Sequence, residues 1–367
     1  MKYYIIAGEA SGDLHASNLL REIRVRDTDA QIRGWGGDLM AAQGCEIVKH
    51  YRELAFMGFT EVLMNLRTIL RNIDTCKNDI TQWKPDVLIL VDYPGFNLRI
   101  APFAKALGIK VVYYISPQIW AWKQKRVHKI VAGTDAVLTI LPFEKDFYAS
   151  FGYRDTVHFV GHPLLDAITQ IKREPAVAEN GKPVIALLPG SRRQEILAKL
   201  PVMLECAQQF PDYRFVVAGA PSQPEAFYRS MMQGTQAELI HNRTYDLLTQ
   251  AHAALVTSGT ATLETALFKV PQVVCYKAGA ISYQIARRLV KVKYISLVNL
   301  VMDREVVREL IQDEMTAENM TAELRRIIAG GDKRTAMLEG YEALRIALGG
   351  AGASANAAQL IIELQKK

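Results

Sequence analysis

Short apolar runs rich in β-branched residues alternate with helical stretches along most of this chain. In the first half the runs are Tyr3–Ala7, Gln31–Trp35, Val87–Val91, Val111–Ile115 and Ala136–Ile140, with helical segments such as Asp13–Arg24 and Ala101–Leu107 between them. This alternation predicts parallel strands covered on both faces by crossover helices. The pattern pauses at KREPAVAENGKP, residues 172–183, where charge, proline and glycine mix as they do in linkers. It restarts with Val184–Leu188, Arg214–Ala218, Leu239–His241, Ala253–Val256 and Gln272–Cys275, and helices fit over Gln194–Gln209, with a kink expected at Pro201, and over Ala261–Phe268. The expected fold class is α/β: two doubly wound domains, 1–171 and 172–344, facing each other across a cleft lined by strand-end loops. The alanine-rich segment Ser354–Gln365 predicts a terminal helix within 345–367 that packs back on the first domain.

Length supports two domains, since 367 residues exceed one ordinary α/β domain. Half of the residues are apolar and 22% are charged, a globular composition. No apolar run approaches the roughly 20 residues of a membrane span, and the N-terminus has no signal-peptide pattern, so a cytoplasmic location is expected. The net charge of +6 admits phosphates, nucleotides or an acidic membrane surface as partners. It does not point to nucleic acid, because no aromatic-rich basic motif accompanies it. Cys45, Cys76, Cys206 and Cys275 are too scattered for a disulfide framework or a thiolate metal site and read as small core residues.

Candidate chemistry lies where strands end. After the first strand comes Gly8-Glu9-Ala10-Ser11-Gly12-Asp13, a small-residue turn that can bring backbone N–H groups to a phosphate or sugar. The alternative is that Ser11 or Asp13 caps a helix. The third strand ends at Asp92-Tyr93-Pro94-Gly95, placing a carboxylate where it can take a proton from an attacking hydroxyl, or where it closes a turn on its own backbone. The next strand leads into SPQIWAWKQKR. There Trp120 and Trp122 can stack on a sugar while Lys123 and Arg126 neutralise a phosphate, or the aromatics can pack inward.

In the second half, Gly190-Ser191-Arg192 joins a strand to a helix and offers a forked cation to a diphosphate. Ser258-Gly259-Thr260 makes a similar junction, with hydroxyls and free N–H groups suited to an anion. Glu264, about a turn into that helix, can accept from two ribose hydroxyls or can complement the helix dipole. Two metal-like patterns are set aside. Asp27-Thr28-Asp29 reads as a solvated loop, and Gly161 and Pro163 break any helix aligning His158 with His162. No metal and no cofactor are expected.

Residues 60–73 place Val62, Leu63, Leu66, Ile69, Leu70 and Ile73 on one helical face, with Arg67 and Arg71 toward the other. The face either packs into the core or meets acyl chains and an anionic membrane surface. Arg287–Lys293 is a second basic stretch suited to the same surface.

The strings AGEASGD, VDYPGFN, YYISPQIWAWKQKR, LPFEKDFY, FVGHPLLD, LLPGSR, SGTATLE and RRLVKVKYISLVNL occur in order over nearly the whole chain. Together they resemble the lipid-A-disaccharide synthase family. The resemblance implies a GT-B fold and an inverting, metal-independent glycosyl transfer in lipid A biosynthesis. UDP-2,3-diacylglucosamine and 2,3-diacylglucosamine 1-phosphate (lipid X) would give the β-1,6-linked disaccharide 1-phosphate and UDP. It implies Asp92 as general base, Arg192 and Glu264 in the UDP site, and Asn299 as a further residue needed there. It also implies the apolar helix as an acyl-chain and membrane patch, with peripheral attachment to the inner face of the cytoplasmic membrane. Gly95 stands where the family often has a second acid, which favours a single base, taken as ionised at its ordinary pKa. Oligomeric state stays open, a homodimer included. Two other readings exist: a UDP-sugar 2-epimerase on the same scaffold, and a non-catalytic nucleotide or lipid sensor at the membrane.

Overall fold

The computed structural model describes residues 1–54, 66–169, 171, 181–279, 283 and 292–365. The chain divides into two compact units, Met1–Gln170 with Leu348–Lys367, and Ile171–Ala347.

The first unit runs β1 (Lys2–Ala7), α1 (Ala10–Arg26), β2 (Gln31–Gly36), α2 (Asp38–Ala42), β3 (Glu46–His50), α3 (Leu66–Trp83), β4 (Val87–Val91), α4 (Pro94–Ala106), β5 (Lys110–Tyr114), α5 (Val127–Ala132), β6 (Ala136–Thr139), α6 (Pro142–Ala149), β7 (Val157–Phe159) and α7 (Pro163–Thr169). Its seven strands are ordered β3-β2-β1-β4-β5-β6-β7, and all pairs are parallel. The strand order reverses between β1 and β4, where ligands settle in doubly wound sheets. Apolar residues cover both faces of the sheet, as β1 illustrates: Tyr3 and Ile5 join one core cluster while Tyr4 and Ile6 join the other.

The second unit repeats the plan with β8 (Val184–Leu188), α8 (Arg193–Ala207), β9 (Arg214–Gly219), α9 (Glu225–Met231), β10 (Glu238–His241), α10 (Thr244–Gln250), β11 (Ala251–Thr257), α11 (Thr260–Leu267), β12 (Gln272–Tyr276), α12 (Leu297–Met302), β13 (Glu309–Ile311), α13 (Ala317–Ile327) and α14 (Arg334–Ala347). Its order, β10-β9-β8-β11-β12-β13, reverses between β8 and β11. The last helix, α15 (Ala353–Gln365), belongs to the first unit, where Ala357, Ala358 and Ile361 join the core beside Leu19 and Ile23 of α1. Asp166 fixes its start by accepting from the Gly352 and Ser354 N–H groups at 2.6 and 2.8 Å.

Several expectations need correction. The expected strand through Ile115 ends at Tyr114, and Ile115 has a φ of +61°. The edge strands β3, β7 and β13 were not foreseen. Asp27 is not merely solvated, since its carboxylate holds the N-terminal ammonium at 3.0 Å and the Tyr3 hydroxyl at 2.9 Å. The apolar helix does not stop at Ile73 but continues to Trp83. Ile73 is buried and Ile69 packs against the same core, whereas Leu70 stays 48% exposed. The proposed single face is therefore split by the core. Val62, Leu63, the Leu66 side chain and Arg287–Lys291 lie outside the described residues. Among the described residues no helix is long and apolar enough to cross a membrane.

Candidate active site

In the first unit the polar residues gather at the switch between β1 and β4. Asp92 follows β4 directly, with φ of +43°, and Tyr93 has φ of +48°. With Ile115 they form a cluster of left-handed backbone, unusual for side chains with a Cβ and costly for a β-branched one. The surrounding structure fixes it. The Asp92 carbonyl accepts from Asn97 Nδ2 and Tyr113 Oη, each at 2.7 Å, and the Asp92 N–H donates to the Tyr114 carbonyl at 3.1 Å. The Tyr93 ring lies against Gly8, where a Cβ would come within 2.4 Å of it. Gly8 thus serves a close approach between the two loops.

The backbone is held, but the Asp92 carboxylate has no side-chain partner among the described residues. It faces a pocket of about 240 Å³ whose wall includes Ser116, Trp122, Lys123, Arg126 and Glu144. Burial raises the Asp92 pKa to about 6, the neighbouring Glu9 carboxylate adds to the rise, and the Tyr93 N–H opposes it. The expectation of an ordinary carboxylate pKa fails because this group is desolvated.

Glu144 is 1% exposed. It accepts from the N–H groups of Ile140 and Leu141 at 3.1 and 3.0 Å and from Trp120 Nε1 at 3.3 Å. Burial pushes its pKa to about 7 against those hydrogen bonds. Trp120 is therefore a buried brace, packed edge-on to Phe143, and does not offer a face to a sugar. Trp122 is 53% exposed, with Lys123 Nζ 3.8 Å from its ring centroid. Arg126 is exposed at the same pocket.

The turn after β1 is shorter than expected. Ser11, Gly12 and Asp13 belong to the first turn of α1, which leaves Gly8 and Glu9 as the loop. Gly12 is buried against Ala7. The Asp13 carboxylate accepts from Gly37, Leu39 and Met40 N–H at 2.8, 3.1 and 3.1 Å, so it caps α2. Ser11 and Glu9 remain exposed.

In the second unit the loops β8–α8 and β11–α11 flank the other switch point. Gly190 has φ of +115°, and a Cβ there would lie 2.6 Å from Glu195 Oε2. Ser191 is exposed, and its carbonyl accepts from Ser222 Oγ at 2.7 Å. The Arg192 side chain is 77% exposed and pairs with Glu195 at 3.0 Å, a solvent-screened contact that an arriving anion can displace. Gly259, at φ +134°, turns the chain into α11, and Thr260 is exposed at its first position. Ser258 Oγ donates to the Ile295 carbonyl at 2.8 Å. Glu264 is partly exposed and accepts from the Tyr245 hydroxyl at 3.0 Å; burial raises its pKa while that hydrogen bond lowers it.

Asn299 is fully buried. Its Nδ2 donates to the Val307 carbonyl and Glu309 Oε1 at 2.8 and 2.9 Å, and its Oδ1 accepts from Val306 and Val307 N–H at 2.7 and 3.0 Å. Both donors and both acceptor positions are used, which leaves none for a nucleotide. Glu309 also receives the Ile295 and Ser296 N–H groups at 3.0 and 2.9 Å, so Asn299 braces the segment that receives Ser258.

All four cysteines are free and buried. Among the described residues no three His, Cys, Asp or Glu side chains cluster as metal ligands. Lys199, buried beneath the β11–α11 loop, escaped sequence reasoning because a helix lysine ordinarily faces water.

The family model described as Lipid-A-disaccharide synthetase matches residues 3–362. A lipid-A-disaccharide synthase of Myxococcus xanthus is 41% identical over 371 residues, covering 98% of this chain and 96% of that protein. One from Geobacter metallireducens is 39% identical over 374 residues, covering 99% and 97%. Among solved structures, a putative UDP-N-acetylglucosamine 2-epimerase of Listeria monocytogenes superposes with a TM-score of 0.70 at 12% identity, covering 99% of this chain and 95% of that one. The glycotransferase of kitacinnamycin gives 0.66 at 16% identity, covering 99% and 98%. At such identities the likeness concerns the fold, which is of the GT-B type, and epimerases and transferases share it.

Proposed function

The chain belongs to the lipid-A-disaccharide synthetase family and is a glycosyltransferase of lipid A biosynthesis; we propose that it condenses UDP-2,3-diacylglucosamine with 2,3-diacylglucosamine 1-phosphate by a single inverting displacement. The observation that carries this reading is the Asp92 carboxylate, without a side-chain partner among the described residues, in a pocket edged by Lys123 and Arg126. The carboxylate suits the acceptor's 6-hydroxyl, and the two cations suit its 1-phosphate.

Asp92 takes the hydroxyl proton as the oxygen attacks the anomeric carbon from the face opposite UDP. An α-linked donor then gives a β-linked product, with no sugar–enzyme bond. Charge grows on the departing diphosphate. Arg192 and the N–H groups at the start of α11 meet it, and loss of one such preorganised donor typically costs about 3–4 kcal/mol. These groups supply the positive charge that a metal supplies in other transferases. Glu264 accepts from the ribose hydroxyls, and Asn299 supports the site through Ser258. Exposed Leu70, flanked by exposed Arg67 and Arg71, is the described part of a surface that meets acyl chains or the inner leaflet.

The test is a product assay with both lipid substrates, run with and without chelator. The expected product is the β-1,6 disaccharide 1-phosphate, formed at the same rate in both. An α-linked product, or activity abolished by chelator, contradicts the proposal.

A further inference from the structure

Lys199 on α8 is 2% exposed, yet its only hydrogen-bond partner among the described residues is the Thr257 hydroxyl, to which its Nζ donates. No carboxylate lies within ion-pair distance of it among those residues. A buried cation with no carboxylate in ion-pair contact is costly, because desolvation is only partly offset. Thr257 closes β11 and immediately precedes Ser258 and Gly259. It is itself buried, and its oxygen accepts from Lys199, which leaves its own hydroxyl hydrogen without an acceptor among the described residues. The other groups facing the ammonium are Glu195 and Arg192 at the start of α8 and the neutral thiol of Cys275, which pairs with Thr257 across β11 and β12.

We propose that Lys199 and Thr257 form the inner half of the diphosphate subsite: the buried ammonium holds the Thr257 oxygen and turns the polarised O–H toward a phosphate oxygen of UDP. Arg192 is the outer, solvent-facing half. Lys199 is thus a positioning residue that acts through Thr257, and the arriving anion adds to the negative charge that Glu195 exerts from beyond ion-pair distance. The inference rests on the placement of UDP at the β8–α8 and β11–α11 loops.

The experiment compares UDP with uridine, which lacks phosphates, by calorimetry on the full-length protein. Lys199→Met keeps the side-chain length and removes the charge. UDP affinity is expected to fall at least about tenfold, as for loss of a charge-assisted hydrogen bond, with uridine affinity unchanged. The melting temperature is expected not to fall, because a buried charge has gone. A purely structural lysine would do the opposite, lowering the melting temperature and leaving the UDP-to-uridine ratio intact, and that result overturns the proposal. Thr257→Ser and Thr257→Val carry the same test if Lys199→Met fails to fold. Serine is expected to preserve the preference for UDP and valine to lose it, and equal behaviour of the two is contrary. If the unaltered protein itself shows no preference for UDP over uridine, the placement of UDP fails first and the inference falls with it.

Discussion

Asp92 combines a rigid backbone with a carboxylate that has no side-chain partner among the described residues, and the two properties have separate consequences. Its pKa of about 6 lies above the ordinary carboxylate value, with burial as the main cause. The folded protein therefore keeps this proton to higher pH than the unfolded chain does. The group favours folding at low pH, and that contribution is lost as pH rises from about 4 to about 6, a cost on the order of 3 kcal/mol once complete. Asp92→Asn is expected to melt above the wild type near about pH 7.5 and level with it near about pH 4. Melting curves that differ equally at both pH values would contradict this. As a base Asp92 must be ionised, so kcat/KM should fall below about pH 6 and level off above it. Asp92 and Arg192 stood out in the sequence because each lies in a short loop that follows an apolar strand and contains a glycine, Gly95 and Gly190 respectively. The sequence left Asp13 and Trp120 open between a ligand role and a structural one, and it could not show what holds Asn299, because their partners, the Gly37 N–H, Glu144 and Glu309, are brought to them only by folding.

Central strands were legible as elements because burial on both faces demands continuous apolar runs, as in Val87–Val91 and Val184–Leu188. Edge strands were not. Glu46–His50 has no fully buried residue, and Val157–Phe159 and Glu309–Ile311 span three residues each. The helix α3 shows the limit of periodicity: the pattern identified an apolar face but not which part of it the core would claim. Burial separates Ile73 from Leu70, and substitution should too. Ile73→Ala is expected to lower the unfolding free energy by about 2–5 kcal/mol. Leu70→Ser should change it by less than about 0.5 kcal/mol while reducing retention on anionic lipid vesicles. Urea denaturation reads the first pair of values and vesicle flotation the second. A large stability loss from Leu70→Ser would place that side chain in the core.

At the scale of the molecule, the same strand order serves twice, with one further edge strand in the first unit, and each unit carries its polar loops at its own switch point. The fold class was therefore legible from alternation alone, while the family came from strings of residues at those loops, which match over nearly the full chain. The likeness to epimerase structures at 12% identity shows how little the scaffold says about chemistry. What distinguishes a transferase is a base for a second sugar's hydroxyl, and that role is given to Asp92. The most direct measurement is turnover of Asp92→Asn with both lipid substrates, alongside its calorimetric affinity for UDP. Turnover reduced by about 10²–10⁴-fold, with UDP affinity unchanged, is the predicted result for loss of a general base. Near-normal turnover would remove Asp92 from the reaction and contradict the account.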